Sequence, residues 1–198
     1  MMGKTHFTIG LATSLLVMRP DSLGECAAAL IAGSFGGITP DVDTMNQSNS
    51  SRVFLHALVT TLGALVVDFF MDLGICEAIL ANQTRALIGL IGFVTLWIFG
   101  YFSDHRTFTH SLTAMFLFSL CVGCIYEPLA LCYMAAYLSH LLLDMLNKKK
   151  IPLLYPLDFG VAFKFCYASS KVDTVFWYIG GIVSAVMLVL GFIFSITA

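Results

Sequence analysis

The sequence predicts an all-α fold, a polytopic transmembrane helical bundle of about seven hydrophobic helices that forms a single domain over residues 1–198. Hydrophobic residues make up 59% of the 198 positions and charged residues only 11%. Soluble domains average roughly 25% charged residues. The mean hydropathy is +0.90, and the apolar runs are continuous, as in membrane-spanning helices. The net charge of −2 indicates no basic surface, so no nucleic-acid partner is expected.

The helices follow in order from runs that are long enough, or nearly so, to cross about 30 Å of hydrocarbon, which takes about 20 residues. The first two runs, Phe7–Met18 and Leu23–Ile38, form a hairpin through the turn RPDS (19–22). The first run is short, so it is either a tilted or a re-entrant segment. In both cases the two open ends of the hairpin emerge on one side. The remaining runs are Val53–Phe70, Ala86–Phe102, Ser111–Tyr126, Leu129–Leu146 and Val175–Ile196.

Lysines and arginines are divided unequally between the two membrane faces that this order defines. The face that holds the N-terminus receives eight of the ten, and the opposite face receives only Arg19 and Arg85. Cytoplasmic loops carry the excess of these residues, so the N-terminal face is predicted to be cytoplasmic. The eight are Lys4, Arg52, Arg106, Lys148, Lys149, Lys150, Lys164 and Lys171.

Histidines and aspartates converge on this cytoplasmic face from four separate stretches of sequence. Imidazole and carboxylate are the usual ligands of zinc, manganese and related ions, and such costly groups in a membrane protein tend to be functional. The candidate metal ligands are His6, Asp41, Asp43, His105, His110, His140 and Asp144. They exceed the needs of one tetrahedral ion. We therefore expect two or three divalent ions, most readily zinc and alternatively manganese, that share bridging carboxylates.

Four of the candidate ligands also have simpler interpretations. Asp41 and Asp43 could cap the segment that follows them. His140 and Asp144 are four residues apart on one helix face and could form an interhelical hydrogen-bonding pair. The concentration of all these residues on one face favours metal binding over the separate interpretations.

The sequence resembles the YdjM family, described as LexA-regulated inner-membrane proteins of bacteria with an inferred metal-dependent hydrolase activity. The resemblance implies a multi-pass protein of the bacterial inner membrane. Two positions depart from the family pattern: Thr107 replaces a common glycine, and NKKK (147–150) replaces a common threonine and glycine. Both positions shape turns and are not ligands. The matching motifs, in order, are HFTIG (6–10), PDVD (40–43), HRTFTHS (105–111), YLSHLLLDML (137–146) and IPLLYP (151–156).

The order of histidines and aspartates is also similar, more remotely, to that of the zinc-dependent phospholipase C and P1 nuclease group. Those helical enzymes hold three zinc ions and cleave phosphodiesters. The ligand set and these resemblances predict a metal-dependent hydrolase that uses a metal-activated water on a phosphoester, in a membrane lipid or lipid-linked substrate. Asp43 is expected to orient the water, and Arg106 to contact the phosphate through its planar fork of donors. Arg106 could equally be a cytoplasmic anchor. The sequence does not indicate an oligomeric state.

The stretch PLLYPLDFGVAFKF (152–165) is amphipathic, rich in aromatic residues and close to the predicted site. It could lie in the membrane interface and admit a lipid headgroup, with Lys164 near the phosphate, or it could be an ordinary interfacial anchor.

Two other classes of function stay open. The first is a divalent-metal or proton-coupled transporter, which needs polar groups at mid-membrane and at the far face. Spans 86–102 and 175–196 have almost none of these. The second is a non-catalytic, metal-stabilised membrane protein, which predicts a closed and fully liganded metal shell.

Overall fold

The computed structural model describes residues 1–157 and 159–197. Asp158, part of the predicted interfacial stretch, and Ala198, the last residue of the predicted domain, lie outside the described residues. Helices form most of the described chain. The α-helices are α1 (Gly3–Met18), α2 (Leu23–Gly36), α3 (Ser48–Met71), α4 (Ile75–Ala81), α5 (Gln83–Tyr101), α6 (Leu112–Ile125), α7 (Leu129–Met145) and α8 (Lys171–Thr197).

Four short elements lie between these helices. A 3-10 helix, Thr39–Thr44, follows α2, and a second one, Phe108–His110, precedes α6. After α7, strands β1 (Ile151–Pro152) and β2 (Gly160–Val161) pair antiparallel, with Ile151 opposite Val161. All of these elements lie close to the predicted ligands, so irregular structure is concentrated near the candidate site.

Every predicted apolar run overlaps an α-helix. Only α3, α5 and α8 are long and apolar enough to span a membrane by length and composition. Their exposed surfaces are apolar, as at Phe69, Ile88 and Ile182, which is expected of helices that face lipid. Helices α1, α2, α6 and α7 have 14 to 17 residues, fewer than a full crossing usually takes. The crossing of these four shorter helices therefore stays a prediction.

The short helix α4 was not predicted, because it lies between the predicted runs Val53–Phe70 and Ala86–Phe102. The carboxylate of Asp68, near the end of α3, accepts hydrogen bonds from the N–H groups of Ile75 and Cys76, each at 2.8 Å. These N–H groups have no partner within α4, so Asp68 caps its first turn. A sequence pattern of seven residues is too short to indicate such a helix without this contact.

Helix α1 lies at the centre of the packing, against α2, α7 and α8, while α5 packs on α6 and α6 on α7. Small residues allow the backbones to approach closely, as in other membrane proteins. A Cβ atom at Gly10 of α1 would lie 2.6 Å from the Cα atom of Gly37, which directly follows α2. This approach brings the first turns of α1 beside the segment that carries Asp41 and Asp43.

Candidate metal centre

The predicted metal ligands lie together at one end of the bundle and form three adjoining groups. Within each group, one ligand atom from each residue lies within 4.8 Å of the others, so each group could hold a metal ion. His140 belongs to two groups and His110 also belongs to two, so the groups form one continuous row. The groups are His6, His140 and Asp144; Asp41, His110 and His140; and Asp43, His105 and His110.

The first group depends on the packing of α1 against α7. The imidazole rings of His6 and His140 stack with their centroids 3.7 Å apart. The Nε2 atom of His6 lies 3.3 Å from Oδ1 of Asp144, which is one helical turn after His140. Both histidines and the aspartate are buried. The i, i+4 spacing on α7 and the close approach of α1 thus suffice to assemble this group.

The second group joins α7 to the segment after α2. The Nδ1 atom of His140 lies 2.8 Å from the carbonyl oxygen of Gly37. A carbonyl oxygen only accepts, so Nδ1 carries the proton and Nε2 presents its lone pair. This Nε2 atom lies 3.7 Å from Oδ1 of Asp41, and Nε2 of His110 lies 3.6 Å from the same oxygen. The arrangement resembles that of metal-bound histidines, whose second nitrogen usually donates to a carbonyl or carboxylate.

The third group is built around the buried carboxylate of Asp43, which holds the loop before α6. Oδ1 of Asp43 lies 2.9 Å from Nδ1 of His105. Oδ2 accepts hydrogen bonds from the backbone N–H of Arg106 at 3.2 Å and from the hydroxyl of Thr109 at 3.1 Å. Nδ1 of His110 lies 3.6 Å from Oδ2. His105 has a side chain that is 41% exposed, so this end of the row is open.

Three imidazole nitrogens of the row are buried without a hydrogen-bond partner among the described residues: Nδ1 of His6, Nε2 of His110 and Nε2 of His140. A buried polar atom without a partner costs about 1–3 kcal/mol, so such atoms require an explanation. Divalent ions between these imidazoles and the facing carboxylates would provide partners for the two Nε2 atoms. The donor set of neutral imidazoles and aspartates also suits zinc or manganese, so the residues fit a metal centre.

Asp144 is the most heavily contacted carboxylate of the centre. Nη2 of Arg106 lies 2.8 Å from Oδ2, and Nε2 of His110 lies 3.6 Å from that oxygen. On the other side, Oδ1 accepts hydrogen bonds from the amide of Asn147 at 2.8 Å and from the terminal amino group of Met1 at 2.7 Å. Charge-assisted hydrogen bonds thus hold Asp144 from both sides and fix the orientation of its carboxylate.

Arg106 is folded into the centre. Its side chain is 14% exposed, and Nη1 donates to the carbonyl of Lys149 at 3.0 Å. Its backbone has φ of 65°, a left-handed conformation that is uncommon outside glycine. The Nε atom is buried and has no partner among the described residues. This position differs from that of a cytoplasmic anchor, whose head group faces water.

Two tyrosines on α7 support the row and were not predicted from the sequence. The hydroxyl of Tyr133 donates to the hydroxyl of Thr39 at 2.9 Å, and that of Tyr137 donates to the carbonyl of Thr109. Both rings are fully buried. Positions 133, 137, 140 and 144 follow one face of α7, and this periodicity is the signal that could have indicated them. The sequence could have indicated Asn147 in the same way, because it follows Asp144 by three residues, the spacing of neighbouring side chains on one helix face.

The electrostatics of the row favour positive charge beside its carboxylates. Burial raises the pKa of the Asp41 carboxyl, but the neighbouring imidazoles of His140, His110 and His6 more than compensate, so this pKa lies below its ordinary value. Burial lowers the pKa of His110, but the nearby carboxylates of Asp41, Asp144 and Asp43 raise it above the ordinary value. The carboxylates thus favour a positive charge between them, which a proton on an imidazole or a divalent cation would supply.

Comparison with known families agrees with the motif order. A family model described as YdjM inner membrane protein matches residues 1–198, the whole sequence. The chain belongs to the YdjM family. Neither the curated proteins nor the solved structures provide a match.

The YdjM assignment confirms the resemblance seen in the sequence motifs. Together with the apolar helices α3, α5 and α8, it makes this chain an inner membrane protein. The family description names no activity. The chemistry of this YdjM protein must therefore be argued from the row of histidines and aspartates.

Proposed function

We propose that this YdjM protein is an integral membrane metal-dependent hydrolase that cleaves a phosphoester of a lipid or lipid-linked substrate. The observation that carries the proposal is the row of three adjoining His/Asp groups that share His110 and His140. Adjacent metal sites with shared ligands are typical of centres that cleave phosphoesters. Two or three ions, with zinc preferred over manganese, would be held by these groups.

The protein groups have separable roles in this proposal. Bound ions would supply the positive charge that polarises the phosphate and lowers the pKa of an attacking water. Arg106 is poised to donate to phosphate oxygens, because its Nε atom has no partner among the described residues and its guanidinium adjoins Asp144. Asp43 already accepts hydrogen bonds at both oxygens, so it positions His105 and the loop. In the proposed mechanism Asp43 also orients the water.

The unequal exposure of the row supports a substrate-accessible centre. The side chains of His105 and Asp41 are 41% and 18% exposed, whereas those of His110 and His140 are fully buried. A substrate would therefore approach from the side of His105 and Asp41. A non-catalytic metal-stabilised protein would be expected to enclose its ions on every side.

The positions of other buried acidic groups favour a hydrolase over a transporter. Among the described residues, the buried carboxylates away from the row are Asp68 and Asp173. Asp68 caps α4, and Asp173 accepts the backbone N–H of Met2 at 2.9 Å. Both therefore have structural partners, and they do not form a polar path across the bundle. We also propose that the row lies at the cytoplasmic face, because lysines and arginines are concentrated there.

Metal content and hydrolysis test this function together. The full chain, purified in mild detergent without chelator, is loaded with zinc or manganese, and bound metal is measured by mass spectrometry. Mixed micelles of phosphatidic acid or phosphatidylglycerol then serve as phosphomonoester and phosphodiester substrates. The parent is expected to hold two or more ions and to release the cleaved lipid only when loaded.

Two variants and one control define the outcome. His110→Ala and His140→Ala are expected to lose metal and turnover, whereas His56→Ala, an exposed histidine on α3, retains both. A parent that remains monodisperse but takes up neither zinc nor manganese would exclude the metal-dependent function. A metal-loaded parent without turnover on either ester class would exclude these lipids as substrates.

A further inference from the structure

The segment after α7 forms an ordered hairpin beside the row, here called the interfacial hairpin (residues 151–157 and 159–167). Its strands β1 and β2 pair with each other. Its second half is tied to the end of α7: the N–H of Phe163 donates to the carbonyl of Met145 at 2.7 Å, and that of Phe165 to Leu146 at 2.9 Å. The hairpin therefore has a defined position immediately beyond Asp144.

Large apolar side chains of the interfacial hairpin project away from the protein. Leu157, Phe159, Phe163, Phe165 and Tyr167 are between 61% and 74% exposed. So many large apolar side chains exposed within one short segment are unusual in contact with water and mark an interaction site. These residues lie beyond the end of α7 and not along a spanning helix. They are thus expected at the depth where aromatic side chains meet lipid headgroups.

Positive charge surrounds this aromatic surface. From Asn147 to Lys171, with both included, the sequence contains five lysines and one aspartate. Lys148, Lys149, Lys150 and Lys164 are exposed. The ammonium of Lys148 lies 3.8 Å from the centroid of the Tyr167 ring and also donates to its hydroxyl, so it is held beside the aromatic side chains. Aromatic groups flanked by lysines complement an anionic lipid headgroup with its attached acyl chains.

We propose that the interfacial hairpin inserts its aromatic side chains into the bilayer interface, and that anionic phospholipid is concentrated there by its Lys164 and by the preceding Lys148, Lys149 and Lys150. This binding goes beyond the proposed hydrolysis, because the hairpin would recruit anionic lipid whether or not the row is catalytic. The carbonyl of Lys149 accepts a hydrogen bond from Nη1 of Arg106. The lipid-binding lysines therefore lie directly beside the row, and the recruited lipid would be delivered to it.

Fluorescence quenching by brominated lipids tests the proposal on the full chain. Phe163→Trp serves as the reporter in a background where Trp97 and Trp177 are replaced by phenylalanine, and Phe165→Trp is a second reporter if the first does not fold. All vesicles contain the same mixture of phosphatidylcholine and phosphatidylglycerol. In one set of vesicles a fixed mole fraction of the lipid is brominated phosphatidylcholine, and in the other set the same mole fraction is brominated phosphatidylglycerol. Local enrichment of the anionic lipid then appears as stronger quenching by brominated phosphatidylglycerol.

The expected result is quenching by both brominated lipids, with a clear excess for phosphatidylglycerol, since each lysine near the surface raises the affinity for an anionic membrane about fivefold. The double variant Lys149→Gln/Lys150→Gln should lose most of this excess. The matched double variant Arg19→Gln/Arg52→Gln, which removes two exposed charges elsewhere, should keep it. Absence of quenching would show that the hairpin stays out of the bilayer, and equal quenching by both lipids would exclude selection of anionic lipid. Either result overturns the proposal without affecting the metal measurements.

Discussion

Nδ1 of His140 lies 2.8 Å from the carbonyl oxygen of Gly37, a residue 103 positions earlier in the chain. This hydrogen bond places the proton on Nδ1, so that Nε2 faces Asp41 as a potential metal ligand. The backbone after α2 therefore controls the orientation of His140, which belongs to two of the three groups. The relationship predicts that small changes at Gly37 affect metal binding although no ligand is replaced.

Gly37→Ala is expected to weaken metal binding by about 10-fold to 100-fold, as do other changes in groups that orient ligands. A Cβ at this position would lie 2.7 Å from the carbonyl oxygen of His6 and 3.0 Å from the Cα of Gly10. Both the Gly37 carbonyl and α1 would have to move. Competition with a chelator measures the affinity.

Gly63→Ala is the matched control for this substitution. Its Cβ would meet nothing within 4 Å, and alanine favours a helix over glycine. It should leave metal affinity unchanged and retain or raise the thermal midpoint. Parent-like metal affinity in Gly37→Ala would contradict the role assigned to the His140 hydrogen bond.

Shared ligands should matter more than unshared ones. His110 and His140 each belong to two groups, whereas His6 and His105 each belong to one. We expect His110→Ala and His140→Ala to lower the number of bound ions per chain more than His6→Ala and His105→Ala do. Mass-spectrometric metal counts on monodisperse protein measure this difference. An equal loss in all four variants would argue against a row of adjoining sites.

Asn147 is expected to hold Asp144 in position through its amide nitrogen. Asn147→Asp replaces this donor with a second carboxylate that repels Asp144, and metal affinity should fall by about 10-fold to 100-fold. Asn82→Asp is the control, because Asn82 is exposed and donates to the carbonyl of Ala78 at 3.1 Å. The visible spectrum of cobalt-loaded protein should change for the first variant alone. Higher affinity in Asn147→Asp would instead identify residue 147 as a direct ligand position.

Arg106→Lys should separate substrate binding from metal binding. Lysine preserves the positive charge beside Asp144, but it lacks the planar fork that contacts Asp144 and the carbonyl of Lys149 together. The number of bound ions should match the parent, while inhibition by inorganic phosphate weakens about tenfold, the equivalent of one hydrogen bond to a charged group. If phosphate inhibition is unchanged, Arg106 serves only to position Asp144.

The orientation of the chain can be tested with alkaline phosphatase fusions, which are active only outside the cytoplasm. A fusion after Lys149 should be inactive, and one after Asn82 should be active, because the basic face is predicted to be cytoplasmic. Fusion expression measured by immunoblotting controls for synthesis. The reverse pattern would place the row on the outer face of the membrane.

Much of this arrangement could be predicted because it depends on local pattern. The apolar runs indicate the main helices, and the i, i+4 spacing of His140 and Asp144 puts both on one face of α7. The chain order then sends the histidines and aspartates to one end. By contrast, the capping of α4 by Asp68 depends on a contact seven residues away, and no sequence pattern signals it.

The sequence by itself determined that this is a helical membrane protein of the YdjM type with candidate metal ligands at one face, because hydrophobic runs and residue types are local properties. Only the tertiary structure decided how the residues group. The close approach of α1 to Gly37 stacks His6 on His140, and the contact of Asp43 with the loop before α6 brings His105 and His110 into the row. These groupings depend on the distances between helix backbones. Side-chain packing sets these distances, and they cannot be read from the local periodicity of the sequence.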